Sequence, residues 1–253
     1  MAHAMHRDLP VIDGHNDLAW AIRTKADGSL ENADPSGHLD GYHTDLPRLL
    51  AGGVGAQIWS VYVPAWSENP LRDTVDQIDL VKRMVAANPS RLAPALTADD
   101  VRRVRASGRI ACMMGVEGGH SIEGSIGVLR MLRELGVAYM TLTHNDTLDW
   151  ADAAVDEPRS GGLSEFGREI VREMNRIGML VDISHVAPTT MHAALDVSVR
   201  PVIASHSSAY AMAAHPRNVP DDVLARIPRN GGVIMVNFYP AFIVPELTER
   251  SLK

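Results

Sequence analysis

What most constrains this chain is an alternation that runs along nearly all of it, in which short apolar runs are each followed by a stretch of helical pattern. The runs occupy residues 11–13, 56–63, 110–117, 138–144, 179–185, 201–206 and 231–238. Most are rich in β-branched residues and lack the every-second-residue polar alternation of a half-exposed strand. Runs of that kind suit strands covered on both faces, as in a parallel sheet wrapped by helices.

Helical patterns fill the gaps. Val75, Ile78, Val81, Met84 and Val85 form an apolar stripe that predicts a helix over 71–88. It is stopped by Asn88-Pro89. Thr97 with Asp99 and Asp100 reads as an N-cap and an acidic first turn, and Gly108 ends that helix. Helices are also expected over 125–135 and 163–177, closed by Gly136 and Gly178, with a shorter one over 219–228.

This rhythm leaves an open doubly wound sheet or a closed barrel. No Gly-x-Gly-x-x-Gly follows the first strand, so the dinucleotide-binding version of the open sheet loses ground. The expectation is an α/β fold of the TIM-type (β/α)8 barrel class, forming one catalytic domain over residues 1–253. Seven strands are legible, so that domain is expected to lack an eighth strand and its C-terminal part before the polar tail Arg250-Ser251-Leu252-Lys253.

Composition removes several function classes. Formal net charge is −7 with both signs mixed, so no basic nucleic-acid arm or polybasic membrane patch is present. The single cysteine, Cys112, excludes an intrachain disulfide and a cysteine zinc cluster, and it reads as a buried small hydrophobe. No run approaches the ~20 apolar residues of a membrane helix. Residues 1–6 lack a signal-peptide core, and His3 and His6 carry little weight as ligands. The expected location is cytoplasmic, with neither nucleic acid nor membrane as partner.

The chemistry lies where the runs end. His15 and Asp17 follow the first, and Glu117, His144, His185 and His206 close the next four after the 56–63 run. Barrel active sites are assembled at the C-terminal ends of several strands at once. Residues two apart in extended chain face the same way, so His15 and Asp17 can grip one cation. Imidazole with carboxylate and no thiolate suits zinc, with cobalt, manganese or iron as substitutes. So many ligand types across one rim fit a pair of ions ~3.5–4 Å apart better than a single ion. Glu117, beside Gly118-Gly119, is the natural bridge. A carboxylated-lysine bridge is disfavoured, since the three lysines, Lys25, Lys82 and Lys253, end no run.

Several blocks taken together resemble the membrane/renal dipeptidase family, in its order and over nearly the whole chain. They are Val11-Ile12-Asp13-Gly14-His15-Asn16-Asp17, Gly115-Val116-Glu117-Gly118-Gly119-His120, Leu142-Thr143-His144-Asn145, Asp182-Ile183-Ser184-His185, Ser205-His206-Ser207-Ser208-Ala209-Tyr210 and Arg217-Asn218-Val219-Pro220-Asp221-Asp222. The resemblance implies two zinc ions per chain: one on His15 and Asp17, one on His185 and His206, with Glu117 bridging. It implies that His144 stabilises the oxyanion beside the substrate carbonyl and that Arg217 holds the free carboxylate of a dipeptide, a fork-to-fork pairing. His120 reads as structural or supporting, Trp150 as a pocket wall or packing residue, and His38, His43, His192 and His215 as surface or structural. The family also carries an aspartate at the end of strand eight, and no such block precedes Lys253.

The implied reaction is hydrolysis of a small-molecule dipeptide, with a D-residue admitted at its second position and a homodimer admitted as the assembly. Two alternatives stand beside it. One is hydrolysis of another amide or ester, such as an N-acyl amino acid or a lactone. The other is a metal-containing barrel without turnover.

Overall fold

The five strand pairings described below are all parallel in the computed structural model, as the doubly covered apolar runs require. The structure describes residues 9–251, with side chains to Thr248. His3, His6, Leu252 and Lys253, and the side chains of the expected polar tail, lie outside the described residues. The chain divides into two compact units, the first running to Val116 with Leu135–Ala138, the second holding Glu117–Glu134 and everything from Tyr139 onward.

In the first unit, β1 (Val11–Asn16) pairs with β2 (Val54–Tyr62), and β3 (Leu92–Pro94) pairs with β4 (Ile110–Glu117), whose last residue belongs to the second unit. Four helices, α1 (Leu18–Ala26), α2 (Leu46–Ala51), α3 (Pro70–Ala87) and α4 (Ala98–Ala106), intervene. The α3 stripe buries Ile78, Val81, Met84 and Val85 as expected, but Val75 remains 41% exposed because it falls at the edge of the stripe. Each large apolar side chain removed from water contributes about 1.5–3 kcal/mol. Thr97 and Asp100 close a full capping box on α4, which relieves two of the open N–H groups at its start. Cys112 is buried, and burial pushes its thiol up to about 11.

The strand that the sequence reading does not contain is β3. Its three residues, Leu-Ala-Pro, are too few and too poor in β-branched side chains to stand out as an apolar run.

The second unit carries a contiguous parallel sheet. Tyr139–Thr141 of β5 (Val137–Thr141) pairs with β6 (Leu180–Asp182), β6 with β7 (Val202–Ala204), and β7 with β8 (Val233–Ile234). The intervening helices are α5 (Ile126–Glu134), α6 (Glu165–Ile177) and α7 (Pro188–Val197). Ser164 caps the start of α6, and Gly178 ends it in the left-handed conformation at φ 72°. The single helix expected over 219–228 is instead two short ones, α8 (Asp221–Leu224) and α9 (Ile227–Asn230). Pro228 lacks an N–H and clashes with the preceding turn, so a new helix starts beside it. After β8 the chain forms a helix α10 (Pro245–Ser251). No helix among the described residues is long and apolar enough to cross a membrane.

Candidate metal centre

Parallel pairing sends β5, β6 and β7 the same way, so the segments leaving them emerge at one edge of the second unit's sheet. The expectation put His144, His185 and His206 in the strands themselves. They stand instead three, three and two residues past Thr141, Asp182 and Ala204, where those strands stop. Asp182 is one reason. Its buried carboxylate accepts from the backbone N–H of Ser184 at 3.0 Å and of Ser205 at 2.9 Å, turning both chains out of the sheet.

His185 is further from strand geometry, with φ at 68°, a left-handed conformation that costs a non-glycine residue roughly 1–2 kcal/mol. Its carbonyl is held by the N–H of Ala154 at 2.7 Å and more loosely by the Thr143 hydroxyl at 3.4 Å. Backbone held in this way aims a side chain where a strand could not.

The side chains converge on one oxygen. Oε1 of the buried Glu117 lies 3.0 Å from Nε2 of His185, 3.5 Å from Nε2 of His206 and 3.8 Å from Nε2 of His144. The ring centroids of His144 and His185 are 4.4 Å apart, and those of His185 and His206 are 4.9 Å apart. Glu117, His144 and His185 each offer a donor atom within 4.8 Å of the others.

The chemistry of this set fits a divalent cation. Burial, and then the nearby Arg217 cation, drive the His185 imidazole well below its ordinary pKa, so it is neutral near pH 7 and carries one ring proton. Both ring nitrogens nevertheless face oxygen acceptors, with Nδ1 3.1 Å from Oδ1 of Asn145 and Nε2 facing Glu117. One proton cannot serve both, and a cation between Nε2 and the carboxylate resolves the conflict. His144 is likewise lowered, first by burial.

Arg217 belongs to the same unit and is 4% exposed. Burial lowers its guanidinium to about 10, against the opposing pull of Glu117 and Asp182. Its Nη1 is buried without a hydrogen-bond partner among the described residues, while its plane lies over the Phe242 ring at 5.3 Å. A buried guanidinium with an unused donor is costly, which suits a residue kept for an anionic ligand. His215, expected to be structural, accepts the Arg217 backbone N–H on Nδ1 at 3.1 Å.

Close approach is possible here because Gly119 has no side chain. A Cβ at that position would meet the Trp150 ring at 2.4 Å and the Leu142 carbonyl at 2.5 Å. Trp150 is buried and meets Phe166 edge-on, so packing is its visible role. His120 packs its ring against Gly118. His38 pairs with Asp40 and Asp45, His192 pairs with Asp222, and His43 is exposed.

In the first unit, His15 Nε2 lies 3.3 Å from Asp17 Oδ1, the two flanking the end of β1. The side chain of Asn16, rather than that of Asp17, turns onto the start of α1, where Oδ1 accepts the Leu18 N–H at 3.0 Å.

The sequence reading gave no role to Asp182, Ser205 or Asn145. All three stand within the quoted blocks, one to three residues from candidate ligands, and a polar residue inside an apolar strand end is the signal that marks Asp182.

Residues 1–252 match the sequence profile of the membrane dipeptidase family, peptidase family M19. An uncharacterized dipeptidase of Schizosaccharomyces pombe is 48% identical over 96% of this chain and 63% of its own length. The dipeptidase aclJ of Aspergillus oryzae is 45% identical over 92% of this chain and 58% of its own. The chain thus spans about three fifths of the length of these curated relatives. Among solved structures, a metallo peptidase from Rhodobacter sphaeroides, liganded with a phosphinate mimic of the dipeptide L-Ala-D-Ala, superposes with TM-score 0.81 at 25% identity, covering 94% of this chain and 76% of that one. The fold is accordingly that of the parallel α/β, TIM-type metallopeptidases.

Proposed function

The chain belongs to the membrane dipeptidase family, peptidase family M19, and on that footing we propose that it hydrolyses the peptide bond of dipeptides using two zinc ions. The observation that carries this reading is the convergence of three imidazoles on one Glu117 oxygen, with a buried guanidinium beside them. His185, His206 and Glu117 would hold one ion. His15 and Asp17, already paired with each other, are proposed to hold the second.

Zinc held there would supply Lewis acidity and lower the pKa of a bound water toward neutrality. The chain's own residues do the rest. Arg217 pairs with the free C-terminal carboxylate of the substrate, which limits the chain length accepted and fixes the scissile carbonyl relative to Glu117. His144, whose Nε2 lies 3.8 Å from Glu117 Oε1, donates to the oxygen on which negative charge develops. The ligand of the Rhodobacter relative mimics a dipeptide with a D-residue second, and the same stereochemistry is proposed to be accepted here.

The test compares a dipeptide with its C-terminal amide, alongside elemental analysis of the purified protein. The expectation is turnover of the free acid, little of the amide, and two zinc ions per chain. Equal rates on both substrates remove Arg217 from its role, and absence of bound metal removes the whole reading.

A further inference from the structure

The structure assigns Ser205, backed by Asp182, as the positioning residue that fixes which nitrogen of His206 carries the proton, and so turns Nε2 into a ligand. The assignment rests on the metal-site reading given above for His206 and Glu117, and deepens it.

The argument is one of proton counting. Asp182, fully buried at the end of β6, receives four donors. They are the Thr141 hydroxyl at 2.6 Å, the Ser184 N–H at 3.0 Å, the Ser205 N–H at 2.9 Å and the Ser205 hydroxyl at 2.6 Å. A carboxylate only accepts, so the bond from Ser205 Oγ consumes the single proton of that hydroxyl. Ser205 Oγ also lies 2.8 Å from Nδ1 of His206. With its proton committed to Asp182, the serine can only accept there, and Nδ1 of His206 must donate. A neutral imidazole holding its proton on Nδ1 presents a lone pair at Nε2, the atom that faces Oε1 of Glu117 at 3.5 Å.

The device is anchored from behind. His206 N–H donates to Ser184 Oγ at 3.1 Å and Ser205 N–H to Asp182, so two successive backbone N–H groups leading into the ring's Cα are tied to the end of β6 and the segment after it. Ring orientation and tautomer are therefore set by groups that do not touch the ion. Partners of this kind behind a ligating histidine are typically worth 10–100-fold in metal affinity.

The test uses the protein labelled with 15N-histidine, stripped of metal, at neutral pH. Long-range proton–nitrogen correlation spectra read the tautomer of His206 directly. Wild type and Ser205→Thr are expected to show Nδ1–H, whereas Ser205→Ala shifts toward Nε2–H or a mixture. Zinc affinity by chelator competition should fall roughly 10–100-fold in Ser205→Ala and recover in Ser205→Thr. Thermal midpoints of the metal-free proteins check that the fold is kept. If Ser205→Ala does not fold, Ser205→Cys, a weaker acceptor of similar shape, must show the same drift of tautomer. An unchanged tautomer with unchanged zinc affinity in Ser205→Ala overturns the assignment while leaving the dipeptidase reading intact. A tautomer that follows residue 205 in a protein that binds no zinc supports the relay and overturns the metal-site reading instead.

Discussion

Ala154 donates its backbone N–H to the carbonyl of His185 at 2.7 Å, tying the loop before α6 to the one candidate ligand whose backbone is left-handed. Asp152 organises that loop. Its buried carboxylate accepts from the N–H groups of Arg159 at 2.7 Å, Ser160 at 2.9 Å and Gly162 at 2.6 Å. Its carbonyl receives the Ala187 N–H and the Thr190 hydroxyl, both at 2.9 Å.

Asp152→Ala should therefore cost about 2 kcal/mol at neutral pH, since only the Gly162 donor is buried beyond the reach of water. Burial alone would raise this carboxyl, but the loop N–H groups outweigh it and hold the folded pKa below the ordinary value. A lowered carboxyl stabilises the fold fully above its unfolded pKa, and the contribution is lost as pH falls through the folded pKa. Urea unfolding of wild type and variant at pH 7 and pH 3 should show the gap narrowing in acid. A gap of constant size would contradict this account.

Arg217→Met should raise KM for a dipeptide by 100-fold or more without lowering stability. The buried guanidinium is costly to desolvate and is lowered to about 10 by its surroundings, so an apolar side chain of similar length is tolerated. Steady-state kinetics and a thermal melt check both halves. A variant that melts early, with KM unchanged, would make Arg217 a structural residue.

His144→Ala should lower kcat by roughly 10²–10³ while leaving zinc content at the wild-type level. It is the imidazole farthest from Glu117 Oε1, at 3.8 Å, which fits a donor to substrate better than a ligand. Loss of metal in this variant would move it into the ligand set.

Gly119→Ala should destabilise the protein by about 1–3 kcal/mol, because the new methyl group meets the Trp150 ring and the Leu142 carbonyl well inside contact distance. Gly37→Ala, which meets nothing within 4 Å, is the control and should melt as wild type does. Equal midpoints for the two variants would show that the turn at Gly119 yields freely.

Chelation should abolish turnover and lower the melting temperature. Free zinc at 100 times its Kd adds about 2.7 kcal/mol to the folded state, so the shift should grow with zinc concentration. In Glu117→Gln the dependence should vanish, as the carboxylate on which the imidazoles converge is lost. A Glu117→Gln protein that still responds to zinc would place the ion elsewhere.

The sequence by itself determined the alternation of strands and helices, short of β3 and the split after Leu224, and the parallel class of the sheet, and it named the residues proposed for the site. Those properties follow from local patterns: doubly covered apolar runs, caps such as Thr97 and Ser164, and metal-competent side chains where runs end. It could not show that β6 stops at Asp182, or that His185 sits left-handed beyond it, because both depend on hydrogen bonds from segments 20 or more residues away. The same holds for the proton on His206 and the unused donor on Arg217. A side chain's protonation and partners are set by its neighbours in space, and only the tertiary fold decides who those neighbours are.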